Sequence, residues 1–151
     1  MTQTRPRTWV LVADSTHARV VKWVGRDEPL EAVDGFNLQS PHPHSRDIMS
    51  DRPGRIHESH GPTRHSIEPH TDPVREAERR FAETVVQALN ERHARHEFDR
   101  LVLVMGPRTM GVVRLLLPAD LQKCVRSELL KDLVHLTNTE LKEHLLAAEI
   151  I

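Results

Sequence analysis

Chemistry-bearing side chains concentrate between Ser40 and Pro73. That stretch holds six of the chain's eleven histidines, His42, His44, His57, His60, His65 and His70, with four arginines, Arg46, Arg52, Arg55 and Arg64. Guanidinium forks grouped in one loop suit a phosphate or the backbone of structured RNA, because each presents paired donors to paired anionic oxygens. Asp47, Asp51 and Glu58 dilute that field and offer the arginines a competing role as partners in a solvated loop. Gly54, following Pro53, suits the positive-φ position of a type II turn, a backbone role rather than a ligand contact. The pairs His42/His44 and His57/His60 have spacings that serve borderline metals, but no cysteines accompany them. Exposed or backbone-capping imidazoles are the simpler reading, so no metal or cofactor is expected. Imidazoles titrate near pH ~6.5, so acidification could add up to about six positive charges here and raise the affinity for anions.

Three further positions carry chemistry outside this loop. Asp14 follows an apolar run and is a turn former, and His17 could act beside it as a general base, although no nucleophile accompanies the pair. Asp99 and Asp132 flank other expected strands, yet no spacing rule brings them to Asp14 to make the converging carboxylates of a two-metal site. Arg108 follows Gly106-Pro107 at an expected helix start, where a guanidinium and a helix N-terminus can meet one anion; a surface arginine fits the pattern equally. The single Cys124 cannot form an intramolecular disulfide and reads as a buried, inert thiol in a helix-like segment.

The elements that must position these groups are legible from periodicity. Thr8 to Ala13 is a continuous apolar run suited to a central strand, and His17 to Val24 pairs with it across the polar turn Asp14 to His17. A weaker strand is expected within Leu30 to Leu38, with Val33, Phe36 and Leu38 inward and Asp34-Gly35 acting as a turn or bulge. About residues 40–72 form a long proline-punctuated loop, and loops of that length are usually functional or disordered. Asp72-Pro73 then opens a helix to about His96, with Val74, Ala77, Phe81, Val85 and Leu89 on its buried stripe. Leu101 to Met105 is a buried strand, parallel to its neighbour because a long crossover helix precedes it, and Arg108 to Leu117 is a short helix stopped by Pro118. In Asp120 to Leu136 the spacing of Leu121, Val125, Leu129 and Leu133 favours helix. Thr137 and Glu140 form a capping box that opens a last helix from Asn138 to about Ala148.

Length and composition bound the answer. The 151 residues fit one domain, 1–151, and 21 basic against 22 acidic residues give a net charge of −1, which excludes a polybasic nucleic-acid or membrane-surface protein. No apolar run approaches the ~20 residues that span a bilayer, so no membrane partner is expected. The apolar stretch from Trp9 to Ala13 is cut by Asp14, short of the roughly 7 to 15 residues of a secretory signal, so the expected location is cytoplasmic. Five aromatics and no tyrosine leave little material for base stacking. An exposed sheet edge beside the hairpin is compatible with a homo-oligomer.

The ordered blocks WVLVADSTHARV, SDRPGR, TRH at Thr63 to His65, FAETVVQALN, LVLVMGPRTMGVVR and LLKDLVHLTNTEL resemble the bacterial host attachment protein family across nearly the whole chain. That family's name implies attachment to host cells. The order of elements is also distantly similar to the central domain of archaeal and eukaryotic class 1 peptide release factors. This second resemblance implies an α/β, ribonuclease H-like mixed sheet, an antiparallel meander followed by a crossover helix to a parallel strand, with packed helices. It also implies that part of Glu128 to Leu136 is a strand, against the periodicity, and that Asp14 stands where nucleases of that fold place a metal-binding carboxylate. In the release factors the loop carries Gly-Gly-Gln, which positions water against the ester of peptidyl-tRNA. Here the region reads Asp51-Arg52-Pro53-Gly54-Arg55, and Gln39, Gln87 and Gln122 do not match the glutamine's place. The combined expectation is a non-enzymatic module associated with RNA, the ribosome or tRNA, binding through Arg46, Asp51, Arg52, Gly54, Arg55, Arg64 and His65, with Asp14 and Arg108. The alternatives are a metal-dependent or His/Asp-assisted hydrolase of a phosphodiester or ester, and a host-cell adhesion protein.

Overall fold

The computed structural model describes residues 5–41 and 72–150. A five-stranded mixed sheet has the order β3-β2-β1-β4-β5, from β1 (Thr8–Ala13), β2 (His17–Trp23), β3 (Glu31–Gln39), β4 (Arg100–Val104) and β5 (Val125–Leu129). β1 runs antiparallel to β2 and parallel to β4; β2 and β3 are antiparallel, and β4 and β5 parallel. Among the described residues there are four helices: α1 (Pro73–Ala94), α2 (Pro107–Leu116), α3 (Ala119–Cys124) and α4 (Asn138–Ala147).

Alternation along the central strands divides the core into two layers. Trp9, Leu11, Leu101 and Leu103 face Phe81, Val85 and Leu89 of α1 and Met110 and Val113 of α2. Val10, Val12, Val102 and Val104 face Leu141 and Leu145 of α4. Burial on both faces is what a continuous apolar strand requires, and it explains why β1 and β4 read as unbroken hydrophobic runs. Trp9 stacks on Phe98 at 4.6 Å between ring centroids and meets Phe36 edge-on at 6.5 Å.

The helix boundaries follow their signals. Asp72 caps α1, its carboxylate accepting from Val74 N at 2.9 Å ahead of Pro73. His96 ends it in the left-handed region (φ 61°), with its amide on His93 O and that of Glu97 on Arg92 O. Thr137 and Glu140 make the reciprocal capping box at α4. In β3, Gly35 has φ 77°, and the pairing jumps from Val21↔Ala32 to Arg19↔Asn37, so Asp34-Gly35 lies in a bulge as expected.

Two sequence expectations require correction. The last strand is Val125–Leu129, so Glu128 and Leu129 are strand as the second resemblance implies, but the strand begins three residues before that stretch, and the helical reading of the region holds only over α3. Leu121, Val125, Leu129 and Leu133 keep a helical spacing although they fall on a helix, a strand and a loop, so the spacing there reports burial rather than one helix. Val125 is half-buried against the α1/α2 layer and Leu129 against the α4 layer, because the pairing of β4 with β5 shifts between Leu101 and Val102; Leu121 is buried on α3, and Leu133 in the following loop. Cys124 is half-buried rather than buried, with its sulfur 3.3 Å from His93 Nε2. Partial burial first, then Asp120 and Asp99, push its thiol pKa up, in keeping with low reactivity.

At the N-terminal end of β1, Asp99 accepts from Arg7 N at 2.7 Å and from Arg7 Nε at 3.2 Å. The Arg7 side chain, then its backbone amide, hold the Asp99 carboxyl below its ordinary range. A depressed carboxylate stabilises the fold above its unfolded pKa and loses that contribution as pH falls through the folded value. Asp99→Asn is therefore expected to be less stable than the native chain at neutral pH, with the gap closing in acid. Urea unfolding of both proteins from neutral to acidic pH checks this, and a gap independent of pH would contradict it.

Candidate functional site

The strand ends dictate where chemistry can gather. In open α/β sheets, side chains and loops at the carboxyl ends of the parallel strands line the natural binding crevice. Here that edge carries the β1–β2 turn, the start of α2 after β4, and the first turns of α1.

Asp14 is the hub of the turn. Its Oδ1 accepts from Thr16 N at 2.8 Å, His17 N at 2.7 Å and Thr16 Oγ1 at 3.2 Å, while its own amide donates to His17 O at 2.8 Å. This is the turn-forming role expected of an aspartate, and it fixes the carboxylate with Oδ2 directed elsewhere. Oδ2 lies 3.4 Å from His135 Nε2, in the loop between β5 and α4. His17 Nδ1 is 3.9 Å from Oδ1 and 2.9 Å from Thr16 Oγ1, and the His17 and His135 rings meet edge-on at 5.6 Å.

Arg19 positions His135. Its Nε donates to Val134 O at 3.1 Å, Nη2 to Leu136 O at 2.7 Å and Nη1 to Asn138 Oδ1 at 2.6 Å. The guanidinium thus holds the peptide groups on both sides of His135, and burial lowers the pKa of the Arg19 side chain. Neither Arg19 nor His135 stands out in the sequence. Arg19 occupies one polar position of a strand and His135 one loop position, and only the fold joins them.

Arg108 sits at the start of α2, and its Nη2 pairs with Glu78 Oε1 of α1 at 3.0 Å. The arginine side chain is 64% exposed, so this pair is weak and open to exchange with an anion. Ala13, Asp14, Ser15, Glu78, Arg108 and Thr109 line a narrow cleft between the turn and the two helices. Asp99 lies at the other end of the sheet with Arg7, and Asp132 is outside the Asp14 cluster, so the carboxylates of a two-metal site do not converge among the described residues. Arg46, Asp51, Arg52, Gly54, Arg55, Arg64 and His65 lie outside the described residues, as do the histidine pairs of that segment.

The fold and this edge define a mixed α/β domain whose β1–β2 turn joins an aspartate to two histidines beside an arginine-bearing cleft. Residues 9–145 match the family described as "Protein required for attachment to host cells", and the chain belongs to that family. A search of curated proteins found no match. Among the described residues, no helix is long and apolar enough to cross a membrane.

Proposed function

We propose that this protein is a non-enzymatic binding module that contacts RNA, in the setting of the ribosome or tRNA, through the sheet edge where β1 and β4 end. The observation that carries the reading is where the arginine-rich segment is tethered. On its N-terminal side, Ser40 N donates to Thr16 O at 2.8 Å, tying the end of β3 to the Asp14 turn. On its C-terminal side stands Asp72, the cap of α1, whose Glu78 lines the cleft with Asp14 and Arg108. In sequence, Arg46, Arg52, Arg55 and Arg64 lie between these two points, and guanidiniums in this number, with Arg108, suit a phosphate backbone. The antiparallel β3-β2-β1 meander, followed by a crossover helix to the parallel β4, supports the ribonuclease H-like reading of the fold and with it the distant likeness to release-factor domains. With no Gly-Gly-Gln in the chain, the reading is binding without hydrolysis of peptidyl-tRNA. Sedimentation of cell lysate tests it: the native protein travels with ribosomal fractions at low salt and leaves them at high salt. Migration at the top of the gradient under every condition would sink the proposal.

The family's description favours a second reading, attachment to host cells. Fractionation of intact cells separates the two, since an adhesion protein is found at the cell surface and a ribosome-associated one in the cytosol.

A further inference from the structure

We propose that Asp14, His17 and His135 form a binding site for one borderline divalent cation of the zinc class, joining the β1–β2 turn to the β5–α4 loop. One ligand atom from each residue lies within 4.8 Å of the other two. Tetrahedral zinc with bonds of about 2.0–2.2 Å brings its ligand atoms roughly 3.3 Å apart, so small side-chain rotations close the set. Two imidazoles and one carboxylate select zinc, cobalt or nickel over magnesium or calcium, which take oxygen ligands.

The surroundings prepare each ligand. Three donors occupy Asp14 Oδ1 and fix the carboxylate, which leaves Oδ2 toward His135 as the coordinating atom. Arg19 fixes the backbone on both sides of His135, the kind of outer-shell support that orients a ligand. Thr16 Oγ1 lies between His17 Nδ1 at 2.9 Å and Asp14 Oδ1 at 3.2 Å; when its hydroxyl donates to the carboxylate, the imidazole is released for the metal. His135 is 71% exposed, so an ion enters from solvent, and three protein ligands leave a fourth position for water or an anion. The site does not depend on the RNA-binding reading.

Isothermal titration of the full chain with zinc chloride, after chelator treatment, tests the site, and cobalt absorption reports its geometry. Six histidines in the segment between Pro41 and Asp72 could also bind zinc, so the test rests on two variants. Asp14→Asn keeps an oxygen for the turn amides and replaces the coordinating one by an amide group. His135→Ala removes an exposed ring, and circular dichroism checks that both variants fold. The expected result is one equivalent of zinc on the native chain, bound at least about tenfold more weakly by each variant, and tetrahedral cobalt absorption lost in both. A native chain that binds no zinc, or a variant that binds as tightly as the native chain, would overturn the site; the latter would place the ion on other histidines.

Discussion

Replacing Arg52, Arg55 and Arg64 together by alanine should weaken RNA binding by roughly one to two orders of magnitude at moderate salt. Each charge-assisted contact to a phosphate is worth on the order of 1 kcal/mol after desolvation, so three lost contacts sum to about 3 kcal/mol at most. The salt dependence is the sharper readout. Each phosphate neutralised adds about 0.7 to 0.9 to the slope of log affinity against log salt, so the triple variant should lose about 2 to 3 units of slope. Filter binding of a structured RNA over a salt series measures both quantities. Asp47, Asp51 and Glu58 supply the competing outcome: if the arginines spend their charge on these neighbours, affinity and slope stay as in the native chain.

The second large effect concerns stability. Arg19→Ala should cost about 2–4 kcal/mol, because it removes three hydrogen bonds and leaves the carbonyls of Val134 and Leu136 without their donor. For a chain of this length that corresponds to a fall of roughly 5–15 °C in Tm. Arg19→Lys should recover little of the loss. An ammonium is a single point donor, whereas the native guanidinium spans three acceptors spread over Val134, Leu136 and Asn138. Thermal unfolding of the two variants checks this; a lysine variant as stable as the native chain would show that charge alone, without the fork, holds the loop. The partners of Arg19 include the first residue of α4, so the cost falls on the packing of Leu141 and Leu145 against the sheet as well as on His135.

What was legible in the sequence was whatever local pattern decides. β1 and β4 are apolar runs buried on both faces, α1 has a proline-marked start and a full helical stripe, and α4 has its capping box. The crossover from α1 made β4 parallel to β1, as the length of the connection required. β5 begins three residues before Glu128, because Val125 and Leu129 keep a helical spacing while the shifted pairing with β4 puts them in different core layers, so only the pairing Leu103↔Glu128 and its neighbours decides the matter. Arg114 of α2 also pairs with Glu128, a contact that no local rule anticipates.

The candidate site divides in the same way. Asp14 was legible as a strand-end, turn-forming residue, and His17 as its neighbour in the same turn. Arg108 was legible at the start of α2, while its pairing with Glu78 is a product of how α1 and α2 pack. His135 was invisible, because a histidine in a loop has no period and no motif, and its approach to Asp14 depends on the clamp that Arg19 makes across the sheet. The sequence concentrates its charged chemistry in the segment after Ser40, and the described residues that flank it, Ser40 and Asp72, border the Asp14 turn and open α1.

On the proposed reading, RNA meets the edge of the sheet where β1 and β4 end. A photo-crosslinking side chain placed at Ser15, in the Asp14 turn, and separately at Arg95, the cap at the far end of α1, tests it most directly. Both positions lie beside arginines, so charge alone does not distinguish them. RNA adducts are expected from position 15 and few or none from position 95 in irradiated cells. Adducts of equal yield from both positions, or from position 95 alone, would contradict it.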